Sequence, residues 1–410
     1  MTSVLVWIRR NLSALIHPRV RSFILRRVSV LDQRTRWWES KDPYRNDPPY
    51  STDESQYPVT LGIFKEFWHR HWPYVAACRD LGVVYRVVDI SGPDWKRNVD
   101  ESGCDAFLVW PSVQVSIWKQ MFDERLKVIS EDMKKVIYPN YNELWVYESK
   151  RRMGYWLAGN DVPHPKTWVF YSAAEALAHC RTAELPVVAK SNMGARSSGV
   201  RIFRRRSALI RHAKRAFGPG FIHNDGDARD PDWGSLLLQE FLPNVQEWRM
   251  RRIGDSYFGS QKLRRGDFHS GTGVDVWYDP PKKLLDFTRE ITDHAGSRSM
   301  SLDIFETVDG RYLVNELQTV FGTALPYEML VNGKAGRYLY NGSTGDWRFE
   351  EGIFCQNGCC NLRVADVLKA LGHTVALPPV DIQETLDEGD REASLRDYAA
   401  QMAQSQHSDA

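Results

Sequence analysis

Leu185-Pro-Val-Val-Ala-Lys190 runs directly into Ser191-Asn-Met-Gly-Ala-Arg-Ser-Ser-Gly-Val200, an apolar stretch that ends in a lysine and a loop of small residues. A short run of branched apolar residues behind a proline reads as a buried strand. The loop composition lets backbone amides approach phosphate oxygens, and the lysine adds a compact positive charge at the mouth. Alone the pattern is ordinary, because strand, lysine and flexible turn recur by chance. A second apolar run, Leu236-Leu-Leu-Gln-Glu-Phe-Leu-Pro243, ends in Glu240 and a proline, with Glu247 and Arg249 beyond it. Backbone at such a strand end can read an adenine edge, and a carboxylate seven residues on can take ribose hydroxyls. Third comes Asp303 and, thirteen residues later, Glu316-Leu-Gln318, each among apolar neighbours. Magnesium takes hard oxygen ligands and couples one or two carboxylates to phosphate oxygens, which carboxylates from adjacent strands can supply.

In this order the three elements resemble the ATP-grasp superfamily, over roughly residues 57 to 340. The resemblance implies a mixed α/β and α+β architecture: an ATP-grasp fold of two lobes clamping ATP, preceded by a small parallel-sheet α/β domain. By position, Lys150 looks like the phosphate-contacting lysine at the start of the first grasp helix, and Lys190 like the second phosphate lysine. Residues 191 to 199, with Ser197, Ser198 and Gly199, resemble the loop that covers the triphosphate. Glu240, Phe241 and Leu242 fall at the adenine hinge, and Glu247 matches the ribose carboxylate. Lys262 or Arg264 stands where the family keeps a basic catalytic residue near the γ-phosphate, with Lys262 preferred. Asp303, Glu316 and Gln318 occupy the positions of the magnesium ligands, implying ATP with two Mg2+ ions, or Mn2+ in their place. Two residues depart from the pattern: Gln318 stands where asparagine is usual, and Ser301 where the D-alanine ligases keep an arginine. Arg249, Arg251, Arg265 and His269 are the alternatives for holding an acyl intermediate.

The activity so implied is an ADP-forming carbon–nitrogen ligase, activating a carboxylate as an acyl phosphate for attack by an amine. Small-molecule, peptide or glycan-linked acids and amines all suit it. Two other readings keep the nucleotide: a kinase that leaves phosphate on its acceptor, and a non-catalytic ATP-binding module. The absence of a Walker loop, a GxSxG elbow or an HExxH helix fits a mechanism needing no side-chain nucleophile.

Composition sets the frame. Hydrophobic residues at 42% and charged residues at 26% are those of a chain that buries a core, and 410 residues allow two or three modules. A net charge of +2 removes the broad basic field of a nucleic-acid binder. Six scattered cysteines without paired CxxC spacing read as reduced, unligated thiols in a cytoplasmic setting. Residues 1–56 read as a basic extension and linker, 57–138 as the small α/β domain, 139–375 as the ATP-grasp domain and 376–410 as an acidic tail. Within 1–36, eight arginines flank apolar residues at helical spacing. That pattern suits a helix packed on the body or on a second copy, a peripheral contact with anionic lipid, or a transit segment. Glu66, His69, Arg70 and His71 follow the first strand of the small domain, where many members of the family bind the acid substrate.

Overall fold

A computed structural model describes residues 31–51, 55–194, 199–222, 230–262, 275–276, 279–322 and 325–377. Helix α1 (Leu31–Glu39) leads to β1 (Thr60–Phe64), α2 (Trp72–Asp80), β2 (Val84–Val88), α3 (Trp95–Asp100), β3 (Ala106–Leu108), α4 (Ser116–Lys127) and β4 (Val136–Tyr138). The strands lie in the order β2-β1-β3-β4, each neighbouring pair parallel. Parallel sheets carry helices on both faces, so their strands are apolar throughout. Leu61, Ile63, Phe107 and Leu108 are accordingly fully buried. Gly62 faces Phe107 across the ladder, and a Cβ there would fall 2.3 Å from the Phe107 ring, so β1 needs a glycine at that point.

The proline-containing stretch expected as a linker is attached to this sheet. Helix α1 reaches Glu39, Val87 N donates to Pro49 O at 2.7 Å, and Ser51 N donates to Tyr85 O at 2.9 Å. Strand β2 is the sheet edge, and an edge offers backbone groups to whatever chain passes along it. The arginine-rich residues 1–30 and the acidic residues from 378 onward lie outside the described residues. Among the described residues no helix is long and apolar enough to cross a membrane.

Helical periodicity predicts one helix from about 143 to 159. Two are present, α5 (Tyr141–Val146) and α6 (Lys150–Gly159), because Glu148 between them takes φ of 53°, which a right-handed helix cannot contain. Next come β5 (Thr167–Phe170), α7 (Ala173–Thr182), β6 (Val187–Lys190), β7 (Val200–Phe203), α8 (Arg206–Ala216) and β8 (Leu236–Glu240). They build an antiparallel sheet in the order β5-β8-β6-β7, packed on α7 and α8 through Ala176, Val187, Leu209, Ala213 and Leu238. The largest sheet follows, from β9 (Gln246–Ile253), β10 (Ser256–Lys262), β11 (Asp275–Val276), α9 (Lys282–His294), β12 (Ser299–Glu306), β13 (Tyr312–Gln318), β14 (Leu330–Val331), β15 (Lys334–Asn341) and β16 (Asp346–Glu351). Its order is β13-β12-β9-β10-β15-β14, with β11 on β10 and β16 on β15. One face buries Trp248, Met250, Leu302 and Ile304 against Leu284, Leu285 and Ile291 of α9 and Met153 and Leu157 of α6. Each such side chain contributes about 1.5–3 kcal/mol on leaving water.

Sequence order assigns the last described helix, α10 (Gln356–Ala370), to the region 139–375, but it returns to the first sheet. Its opening turn has positive φ at Asn357, Gly358 and Cys359, after which Cys360, Val364, Val367 and Leu368 join the core around Tyr74, Cys78 and Leu61. All six cysteines are free thiols and buried.

Glu143 pins α5 to the start of β12 in the large sheet. It is 2% exposed, caps α5 reciprocally with Asn140, and accepts from Asn140 N at 2.8 Å, Arg298 N at 2.9 Å and Ser299 N at 2.8 Å. Burial pushes its carboxyl up to about 7 against the pull of those amides. Glu143→Ala leaves the amides without their acceptor, at about 1–3 kcal/mol for each that stays buried. The expected result is a urea unfolding midpoint lowered by the equivalent of about 3 kcal/mol or more. Because the folded pKa lies above the ordinary 4.5, this group's proton-linked contribution is fully present below about 4.5 and fades as pH rises through about 7. The alanine variant loses that slope, which urea titrations across this range measure.

Candidate functional site

The antiparallel register sets Arg249 opposite Asp303 and Asp303 opposite Glu316, one row across β9, β12 and β13. Side chains alternate along a strand, so Glu247 with Arg249, Ser301 with Asp303, and Glu316 with Gln318 share a face. That face is the one turned away from the α9 core. On the other side of β9, Lys262 stands opposite Glu247. Lys262 Nζ lies 2.8 Å from Glu247 Oε1 and also contacts Asp303 Oδ2. Arg249 Nε lies 2.9 Å from Asp303 Oδ1 and its Nη2 3.3 Å from Oδ2.

Lys262, Glu247 and Asp303 are each at most 5% exposed, and buried charges are tolerated only when paired. Burial would raise the Asp303 carboxyl, but the Arg249 and Lys262 charges outweigh it and hold the group well below the usual carboxylate range. Glu316 is lowered too: burial pushes it up, and Lys150, then Lys190 and Lys262, pull it down against repulsion from Asp303. Gln318 Nε2 donates to Glu316 Oε1 at 2.9 Å, which turns the amide oxygen away from that carboxylate.

The pairing of β12 with β13 slips between Asp303 and Ile304: Asp303 faces Glu316, whereas Ile304 faces Val314. Asn315 is therefore the extra residue of a bulge, and a bulge re-aims a side chain that strict alternation would send to the other face. Asn315 Oδ1 accepts from Lys190 Nζ at 2.7 Å, joining the small antiparallel sheet to the large one. Desolvation pulls the Lys190 ammonium down to about 8, partly offset by Glu316. Sequence reasoning missed Asn315; the only signal was an amide beside Glu316 in an otherwise apolar strand.

Lys150 opens α6, whose first-turn amides have no partner within the helix. Asn192 supplies them: its O accepts from Lys150 N at 2.9 Å and its Oδ1 from Arg151 N at 3.1 Å. Lys150 Nζ then donates to Gly194 O at 2.6 Å and lies 3.6 Å from Glu316 Oε1. At the neck of the same loop Ser191 N donates to Gly199 O at 3.0 Å, and a Cβ on Gly199 would fall 1.7 Å from Ser191 Oγ. Only glycine permits that approach. Ser197, Ser198, Arg264, Arg265 and His269 lie outside the described residues.

Glu240 ends β8 with Oε1 accepting from Lys166 N at 2.7 Å. Phe241, with the Arg204 guanidinium 5.8 Å from its ring, and Leu242 start the connection to β9 that joins the two antiparallel sheets. Glu247, expected to meet ribose hydroxyls, is engaged by Lys262 in this structure. Arg251 is also turned elsewhere, into a buried pair with Glu328. Glu66 is fully buried, accepting from Trp68 N at 2.7 Å, Arg70 N at 3.0 Å and Ser112 Oγ at 2.8 Å, so it fastens its own loop.

The face thus collects Lys150, Lys190, Arg249 and Lys262 against Glu247, Asp303 and Glu316. Two carboxylates on neighbouring strands beside an amide are hard oxygen donors of the kind magnesium takes, and the lysines suit phosphate oxygens. The residues present fit both groups.

No protein-family model matches the chain, and no curated protein matches it. Solved structures overlap it in part. N5-carboxyaminoimidazole ribonucleotide synthetase, in an ADP complex, is 11% identical with a TM-score of 0.46, covering 66% of this chain and 72% of that one. The biotin carboxylase domain of Hydrogenobacter thermophilus 2-oxoglutarate carboxylase is 14% identical with a TM-score of 0.46, covering 66% of each chain. D-cycloserine synthetase is 19% identical with a TM-score of 0.44, covering 63% of this chain and 91% of that one. At these identities and TM-scores the likeness assigns no chemistry to this chain, which is read from its own residues.

Proposed function

We propose that the chain is an ATP-dependent ligase of the ATP-grasp type, activating a carboxylate as an acyl phosphate and coupling it to an amine with release of ADP and phosphate. The observation that carries this reading is the convergence of Lys150 and Lys190 on the face that holds Lys262, Asp303, Glu316 and Gln318. A magnesium ion or pair held by Asp303, Glu316 and Gln318, or manganese in its place, would neutralise charge on the phosphate oxygens. Lys150 and Lys190 bind those oxygens as point charges, exchanging Gly194 O and Asn315 Oδ1 for phosphate. Arg249 and Lys262 keep Asp303 ionised until then.

A carboxylate oxygen of the substrate attacks the γ-phosphorus, and ADP leaves. The amine attacks the acyl carbon, phosphate leaves, and the nitrogen's proton passes to the departing phosphate. The lysines stabilise charge as it spreads in transfer, which is where fixed cations contribute most. Gln318 reaches one methylene further than the asparagine usual in the superfamily, and its amide, which donates Nε2 to Glu316 Oε1 at 2.9 Å, would have to turn over to offer its oxygen to a metal beside Glu316.

Incubation with ATP, Mg2+ and pools of amino acids, dipeptides and amino sugars should give ADP, phosphate and a condensed product, read by mass spectrometry. Glu316→Ala and Lys190→Ala should each lower kcat by about 10²–10³-fold. Normal ADP release by Glu316→Ala, or a phosphorylated product without condensation, would overturn the ligase reading. With Lys190 near 8, kcat/KM for ATP should fall as pH rises through about 8 and the ammonium is lost. Asn315→Asp places a carboxylate on that ammonium and should move this limb upward by about one unit or more.

A further inference from the structure

Asp42, His69 and His71 meet at a place remote in sequence from every residue of the proposed ATP site. Each offers a ligand atom, and these atoms lie within 4.8 Å of one another. Asp42 belongs to the segment that follows α1; the histidines belong to the turn between β1 and α2, at the carboxyl end of the parallel sheet. Asp42 is 7% exposed and His71 5%. Tyr44 N donates to Asp42 Oδ1 at 2.9 Å and fixes the carboxylate, while Oδ2 lies 2.8 Å from His69 Nδ1. His69 holds this position with φ of 57°, a conformation uncommon for any residue with a Cβ. The two imidazole centroids are 5.5 Å apart. The cluster borders a cavity of about 560 Å³ whose wall also carries Lys65, Arg86, Asp89 and Asn98.

We propose that Asp42, His69 and His71 form a binding site for a divalent transition ion of the zinc class, with its fourth position open to this cavity. Two imidazoles and one carboxylate are a mixed nitrogen and oxygen set that selects Zn2+, Co2+, Ni2+ or Fe2+ over Mg2+. Three protein ligands with one position left for water is the arrangement of accessible rather than purely structural zinc. Bonds of about 2.0–2.1 Å in a tetrahedron put ligand atoms about 3.3 Å apart. The Asp42–His69 separation is already within about half an ångström of that, and the widest ligand separation would have to close by up to roughly 1.5 Å. His71 Nδ1 accepts from Glu66 N at 3.2 Å, a bond that an ion on that nitrogen would displace. The ion would add a further tie between the segment after α1 and the sheet, beside the Pro49 and Ser51 backbone bonds to β2.

The test uses the full chain without a histidine tag, stripped with chelator and titrated with Co2+ in excess Mg2+, which occupies the oxygen-donor site. One Co2+ per chain is expected, with visible absorption of nitrogen-ligated cobalt that Zn2+ displaces. Asp42→Asn and His69→Ala should each weaken binding at least tenfold, with an unchanged circular dichroism spectrum for Asp42→Asn, which keeps the side-chain shape. Absence of a stoichiometric cobalt spectrum, or equal cobalt affinity in the wild-type chain and both variants, overturns the site.

Discussion

Asp303 is buried on its sheet face, where Arg249 from β9 and Lys262 from β10 both contact its carboxylate. A lone carboxylate there would neutralise itself, and a lone lysine would lose its proton, so neither survives as a charge without the other. Breaking such a buried pair by removing one partner costs about 3–5 kcal/mol. The whole row, from Glu247 through Lys262 and Asp303 to Glu316, is therefore one electrostatic unit. Strand register builds it: shifting any of β9, β12 or β13 by one residue would send these charges into the α9 core.

The second constraint is the join between the antiparallel sheets. Lys190 crosses from β6 to Asn315 on β13, and Asn192 satisfies the opening amides of α6, from which Lys150 reaches Gly194 and Glu316. These polar contacts are exchangeable, unlike the apolar packing beneath each sheet. In the proposed function, phosphate oxygens would take over these lysine contacts. Glu240 and Phe241, at the crossing point, contact Lys166 and Arg204, which flank β5 and β7 of the small sheet.

Individual residues mark how far the sequence could be read. The apolar runs at 60–64, 187–190, 236–240 and 312–318 became strands because β-branched and aliphatic residues bounded by turn formers have few other uses. Helical spacing predicts helices near 172–182, 206–216 and 282–297, and the structure has them at Ala173–Thr182, Arg206–Ala216 and Lys282–His294. Lys150, Lys190, Lys262, Asp303, Glu316 and Gln318 were recognisable as a set from their order along the chain, and the structure places them around one face. The break at Glu148 and the attachment of residues 49–51 to β2 were not legible, since each depends on backbone geometry or an edge that exists only after folding.

Alone, the sequence determined the local elements and the chemical inventory, because periodicity, turn residues and donor types are properties of short stretches. Tertiary structure decided which of those residues meet. It moved α10 from the end of the chain into the core of the first sheet, through packing that no local pattern encodes. A single bulge turned Asn315 toward Lys190, because one extra residue in a strand reverses the side to which a side chain points. It brought Asp42 beside His69 across 27 residues, where only the closed fold could make neighbours of them. Contacts between distant segments depend on register, twist and burial over the whole chain, and those are fixed only when the sheets close on one another.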